Sequence, residues 1–193
     1  LEAELLYGFV QGGARHAAYN SIVGGGANAC VMHYIDNGAL LCDGELVLVD
    51  AGCELDHYAA DLTRTYPVNG RFSREQRALY EVVLAAQLAG IREVRPGAHW
   101  NQPHEATVRT ITEGLRDLGL LDGEPAELVE REAYKAFYAH RAGHWLGMDV
   151  HDVGDYKLGA DWRTLEPGMV LTVEPGIYIG PDNRAVPKRW RGI

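Results

Sequence analysis

The sequence predicts an α+β layout, a curved antiparallel sheet followed by helices, and three observations predict it. Short runs of β-type residues separated by turn signals occupy the chain between Ala17 and Tyr66. Helical periodicity then dominates from Ser73 to about Lys135. β-type residues return between Met169 and Ile179, so strands and helices are segregated rather than alternating.

Taken in order, Leu1 to Val10 reads as the end of an amphipathic helix, stopped by Gly12-Gly13. Ala17 to Val23 reads as a strand that ends in Gly24-Gly25-Gly26. No Lys-Ser/Thr pair follows those glycines and no helix opens there, so they predict a tight turn rather than a phosphate cradle. Asn28 to Tyr34 is the second predicted strand, Ala39 to Cys42 the third, with turns at Asp36-Asn37-Gly38 and Asp43-Gly44. Ser73-Arg-Glu-Gln76 has the form of a capping box and opens a helix that runs to about Arg92. A second helix is predicted from Pro103 to Leu118, with Gly119 at its C-terminal cap, and a third from Ala126 to Lys135.

Composition bounds the function. The chain has 193 residues, 47% hydrophobic and 23% charged, which suits one domain with a substantial core. A net charge of −9 argues against nucleic acid or an anionic membrane as the main partner. The three cysteines, Cys30, Cys42 and Cys53, have no paired metal spacing and read as reduced thiols of a cytoplasmic protein. No apolar run is long enough for a membrane span and no signal peptide opens the chain. The first residue is Leu1, which is expected of a piece of a longer protein.

The stretch Asp50-Ala-Gly-Cys-Glu-Leu-Asp-His-Tyr-Ala-Ala-Asp61 lies between two β-type flanks, Leu46 to Val49 and Leu62 to Tyr66. A hairpin that reverses around Leu55-Asp56 would set Asp50 directly opposite Asp61, with Cβ atoms about 4.5–5.5 Å apart. Two carboxylates that close repel one another unless a cation or a shared proton intervenes. Further along, His140, His144 and His151 fall within twelve residues, and Glu174 ends the run Val170-Leu-Thr-Val-Glu174. One imidazole with several carboxylates is a hard, oxygen-rich donor set, suited to Mn²⁺, Co²⁺ or Fe²⁺. His57, His99 and His104 read as structural.

These segments resemble the pita-bread metallopeptidases, most closely the Xaa-Pro aminopeptidase branch. The resemblance rests on Asn28-Ala-Cys-Val-Met-His33-Tyr34, Asp50-Ala-Gly-Cys-Glu, Asp61-Leu-Thr-Arg-Thr-Tyr-Pro-Val-Asn-Gly70, His140 to Gly154, and Leu165 to Tyr178. It implies a pita-bread fold, with helices on the outer face of a curved antiparallel sheet. It also implies a metal-dependent aminopeptidase that hydrolyses the bond before a proline in second position, using water activated by two divalent ions. The ions are expected to be Mn²⁺, with Co²⁺, Fe²⁺ or Zn²⁺ as substitutes. Carried over by motif, Asp50, Asp61, His144 and Glu174 are metal ligands, and Glu174 would assist proton transfer. His33 and His151 would stabilise or protonate the reacting amide, His140 would line the proline side of the pocket, and Tyr178 is a further substrate-binding candidate.

The family motif continues past Arg191-Gly-Ile193 to a bridging glutamate, and its N-terminal domain precedes the part matched here. The expectation is therefore one catalytic domain, 1–193, incomplete at its C-terminus, with four of the five ligands. The complete protein is expected to be a homo-oligomer. Two alternatives accompany this reading: an Xaa-Pro dipeptidase (prolidase) and a non-catalytic pita-bread binding protein.

Overall fold

A computed structural model describes residues Leu1 to Ile193. The chain forms two compact units, interleaved in sequence: residues 1–76, 146–152 and 178–193 make the first, and 77–145 and 153–177 the second.

The first unit begins with α1 (Glu2–Gln11), which ends at Gly12 as the glycine pair predicts. Strands β1 (His16–Ala17), β2 (Ile22–Gly25), β3 (Leu46–Asp50), β4 (Cys53–Leu55), β5 (Tyr58–Ala59) and β6 (Thr63–Pro67) follow. They form two antiparallel sheets, ordered β1-β4-β5 and β2-β3-β6. Strand β3 is central to the second sheet, and its Leu46 and Val47 are buried along with Ile22 and Val23. Asp50 is the last residue of this central strand.

The predicted hairpin exists, but its register differs by two residues. Asp50 pairs with Thr63, Val49 with Arg64, and Leu55 with Tyr58, so Asp61 is not Asp50's partner. The turn is the cause. Asp56 and His57 both have positive φ, 51° and 66°, as a two-residue type I′ hairpin turn requires. The reversal is therefore centred on Asp56-His57 rather than on Leu55-Asp56. A shift of two residues preserves the face, because side chains alternate with period two. Between the two ladders, Gly52 packs against the opposing backbone: a Cβ there would stand 1.7 Å from the Ala60 carbonyl oxygen.

Two predicted strands are absent. Gly26–Cys30 is a 3-10 helix followed by a turn, and residues 39–42 form no ladder. Gly26 has φ of 54°, which turns the chain out of β2. The Asn37 side chain then holds the backbone of the β2 region, accepting from Val23 N–H and donating to the Ser21 carbonyl, both at 2.8 Å. A side chain thus makes the bonds that a neighbouring strand would have made.

The capping box is formed as predicted: Gln76 N–H donates to Ser73 Oγ at 3.1 Å, and Ser73 N–H donates to Gln76 Oε1 at 2.8 Å. It opens α2 (Arg74–Glu93).

In the second unit, α3 (Gln102–Asp117) buries Val108, Ile111, Thr112 and Leu115, one face at helical spacing. The buried Thr112 hydroxyl donates to the Val108 carbonyl at 2.7 Å, so it needs no outside partner. Helix α4 (Pro125–Glu130) is shorter than the predicted third helix. Glu132 adopts φ of 55° and breaks it before a 3-10 turn at Ala133–Ala136. A hairpin of β7 (Lys157–Leu158) and β8 (Asp161–Trp162) was not expected from the sequence. The Met169–Ile179 stretch carries one bridge, Trp145 to Leu171, rather than a regular strand. An apolar cluster of Ala98, Trp100, Trp145 and Leu165 packs with Trp162 and Leu171.

Candidate metal centre

In the first unit, Asp50 and Asp61 share a third residue, Tyr19. Its hydroxyl makes a short hydrogen bond to Asp50 Oδ1 and stands 3.1 Å from Asp61 Oδ1. Backbone pairing puts it there: Ile22 pairs with Asp50, and Ala18 N–H donates to the Gly52 carbonyl at 2.9 Å. Burial pushes the phenol pKa up, and the hydrogen bond and charge of Asp50 and then the charge of Asp61 push it further. Tyr19 thus stays protonated at any physiological pH. One phenol has one proton to give, whereas two carboxylates face it. A divalent cation would relieve the residual repulsion, so this donor set fits a metal.

In the second unit, His144 Nε2 lies 3.2 Å from Glu174 Oε1. His144 Nδ1 lies 2.8 Å from the Trp145 carbonyl oxygen, which only accepts, so Nδ1 carries the proton. In the neutral ring Nε2 then presents a lone pair towards the carboxylate. Two acceptors facing one another require either a second proton or a cation between them. A ring nitrogen fixed by a backbone carbonyl on its other side is the usual setting of a metal-bound histidine. Thr172 completes the arrangement: its hydroxyl accepts from His144 N–H at 3.0 Å and donates to Glu174 Oε1 at 2.7 Å. The backbone holds both ends, since Thr172 N–H donates to the His144 carbonyl and Glu174 N–H to the Ala142 carbonyl.

The other predicted residues divide between the units. His33, φ 57°, and His151 occupy exposed positions in the first, where Tyr178 is half-buried. His140 is in the second, half-buried, with Nδ1 2.8 Å from the Arg141 carbonyl oxygen and its ring edge-on to Tyr138 at 4.9 Å. His57 is exposed in the hairpin turn, and His99 and His104 each have a buried Nδ1, in keeping with structural roles. Sequence reasoning missed Tyr19 and Thr172. Thr172 was within reach, because it precedes Glu174 by two positions and so shares its face in an extended chain. Tyr19 is 31 residues from Asp50, and no local spacing marks it.

Paired carboxylates in one unit and an imidazole–carboxylate pair in the other are donor sets of the kind that bind divalent metal ions. The chain belongs to metallopeptidase family M24, which it matches over residues 1–193. It is 53% identical to an Xaa-Pro aminopeptidase of Haemophilus influenzae and 50% identical to one of Escherichia coli, in each case over 100% of this chain. It spans 44% of the first protein's length and 43% of the second's. Among solved structures, aminopeptidase PepP of Pseudomonas aeruginosa superposes with a TM-score of 0.98 at 64% identity, covering all of this chain and 43% of that one. Proline aminopeptidase P II of Yersinia pestis gives 0.95 at 53% identity, covering 100% and 44%. The fold is the pita-bread fold, an α+β arrangement of helices and antiparallel sheet.

Proposed function

We propose that this chain is the metal-binding part of an Xaa-Pro aminopeptidase, which hydrolyses the bond between a peptide's first residue and a proline in second position. Relatives of that name, matching the full 193 residues at half identity or more, carry the reading. Asp50, Asp61, His144 and Glu174 are the ligands in this reading. Bound divalent ions, two of them and preferably Mn²⁺, supply acidification of a water into the neutral range and polarisation of the scissile carbonyl.

The chain's own residues do the rest. His144, with its Nδ1 proton given to Trp145 O, offers Nε2 as its ligand atom. Thr172 fixes the Glu174 carboxylate through Oε1. Tyr19 orients Asp50 and Asp61. His33 and His151 donate to the reacting amide, Glu174 assists proton transfer, and His140 and Tyr178 line the pocket for the proline. No helix is long and apolar enough to cross a membrane. The three cysteines are unbridged, which supports a cytoplasmic setting. The complete protein is read as a homo-oligomer.

The test has two arms. Elemental analysis after Mn²⁺ loading and desalting should find bound metal in this chain, and Asp61→Ala should lose it. The complete protein that contains this chain should cleave Ala-Pro-Ala as well as Ala-Pro dipeptide. Cleavage of the dipeptide alone would make it a prolidase, and metal retention without cleavage of either would make it a binding protein.

A further inference from the structure

The second unit carries a cleft of about 570 Å³ in which none of the four proposed ligands takes part. Its walls are aromatic: Trp100, Tyr156 and Trp162. The ring of Trp100 lies 4.1 Å from that of Trp145 and 4.6 Å from that of Tyr156, and Tyr156 stacks on Trp145 at 6.0 Å. Trp162 is held from the other direction of the sequence, by the β7–β8 hairpin. There it is the cross-strand partner of Lys157, whose ammonium stands 4.2 Å from the centre of the indole. The Arg141 guanidinium stands 5.0 Å from the same ring and also donates to Asn101 Oδ1. Two cations therefore meet at one indole. A cation held on an aromatic face keeps its N–H donors available for an anion. One acidic residue, Asp155, also lines the cleft, leaving an excess of one positive charge.

The position of the cleft follows from the sequence. Arg141 comes directly after His140, Gly143 comes directly before His144, and both line the cleft. It thus opens from the segment that carries the proposed ligand His144 and the proline-side His140. We propose that this cleft is a specificity subsite for the residue following the proline. It would take that residue's apolar body against Trp100, Tyr156 and Trp162, and a carboxylate on it at Lys157 and Arg141. This rests on the aminopeptidase reading for the direction in which the peptide lies. Either a free C-terminus or an acidic side chain would provide the carboxylate.

The test is direct binding to this chain of product-like peptides, read by tryptophan fluorescence and calorimetry: Pro-Phe as free acid, Pro-Phe amide and Pro-Asp amide. Pro-Phe should bind about fivefold more tightly than its amide. Lys157 is exposed, so Lys157→Gln should fold and melt like the parent while losing most of that difference. Pro-Asp amide matching Pro-Phe would assign the site to any carboxylate on that residue. A value equal to that of Pro-Phe amide would confine it to the free C-terminus. Equal binding of Pro-Phe and its amide, or a preference that survives in the double variant Lys157→Gln/Arg141→Gln, would overturn the proposal. Because the readout is binding, the two readings fail separately. Xaa-Pro cleavage without acid preference rejects the subsite alone, and acid preference without cleavage rejects the aminopeptidase reading.

Discussion

His144 Nε2 lies 3.2 Å from Glu174 Oε1, and the proton on His144 is committed to the other ring nitrogen by the Trp145 carbonyl. The pair is therefore poised for a positive charge, either a proton or a metal ion. A bound cation would be held there by one ring nitrogen and one carboxylate oxygen. Thr172 holds the pair together by accepting from one partner's backbone and donating to the other's carboxylate.

Thr172→Val keeps the shape of the side chain and removes both bonds. His144 N–H would lose its partner and Glu174 would be free to turn, at a cost of about 1–3 kcal/mol in stability. Metal affinity should fall about 10- to 100-fold, as it does when supporting partners of ligands are removed. Calorimetric titration with Mn²⁺ and thermal melting, made side by side, check both figures. Unchanged affinity would mean that Thr172 does not position Glu174.

Tyr19→Phe removes the one hydroxyl that stands between Asp50 and Asp61. The carboxylates then lose the donor they share while both charges remain. Without metal, the variant should be less stable by about 1.5–3 kcal/mol, the range for a hydrogen bond to a charged group. Mn²⁺ should then raise its melting temperature more than that of the parent, because the cation relieves a larger repulsion. Scanning calorimetry of both proteins with and without Mn²⁺ measures this. An equal rise in the two would show that Tyr19 does not hold the pair.

How far these arrangements can be read from sequence depends on the range over which each is determined. The capping box at Ser73 and Gln76 is a four-residue motif, and it forms as written. The hairpin between β3 and β6 was legible from its β-type flanks, but its register was set by Asp56 and His57, both of which adopt positive φ. Asp tolerates that region, yet Asp-His is no strong signal for a type I′ turn, so the reversal was placed one residue early. Asn28 to Tyr34 has strand-like residues but no free edge to pair with, since the Asn37 side chain has taken that part of the β2 region. The proposed ligands were legible only because several motifs resemble one family. Tyr19, brought to Asp50 by strand pairing alone, was not.

Two glycines separate backbone crowding from helix propensity. Gly52→Ala would drive a Cβ to 1.7 Å from the Ala60 carbonyl oxygen, a contact that only backbone movement can relieve. It should cost about 3 kcal/mol or more and disturb the strands that lead to Asp50 and Asp61. Gly8 lies within α1 with nothing near its Cβ position. Gly8→Ala should stabilise the helix by about 0.5–1 kcal/mol. Urea denaturation of the two variants should give shifts of opposite sign. A tolerated Gly52→Ala would show that the β4–β5 segment can move away from its partner.

His104 should make stability depend on pH. Burial lowers its pKa to about 4 from the usual 6.5, and the charges of Arg141, His140 and Lys135 act in the same direction. Its Nδ1 is buried without a hydrogen-bond partner, which matches a ring kept neutral. In the unfolded chain the imidazole takes up a proton near pH 6.5, whereas the folded chain refuses it until about pH 4. The stability that the neutral, buried ring contributes is therefore complete above pH 6.5 and is lost as pH falls from 6.5 towards 4. Allowing for solvent screening of a partly buried group, the loss should be about 2 kcal/mol. Urea denaturation at pH 7.0, 6.0, 5.0 and 4.5 gives the slope, and His104→Gln, which cannot titrate, should flatten it by that amount. An identical slope in the two proteins would assign the acid sensitivity to other groups and show that His104 takes up its proton in the folded state.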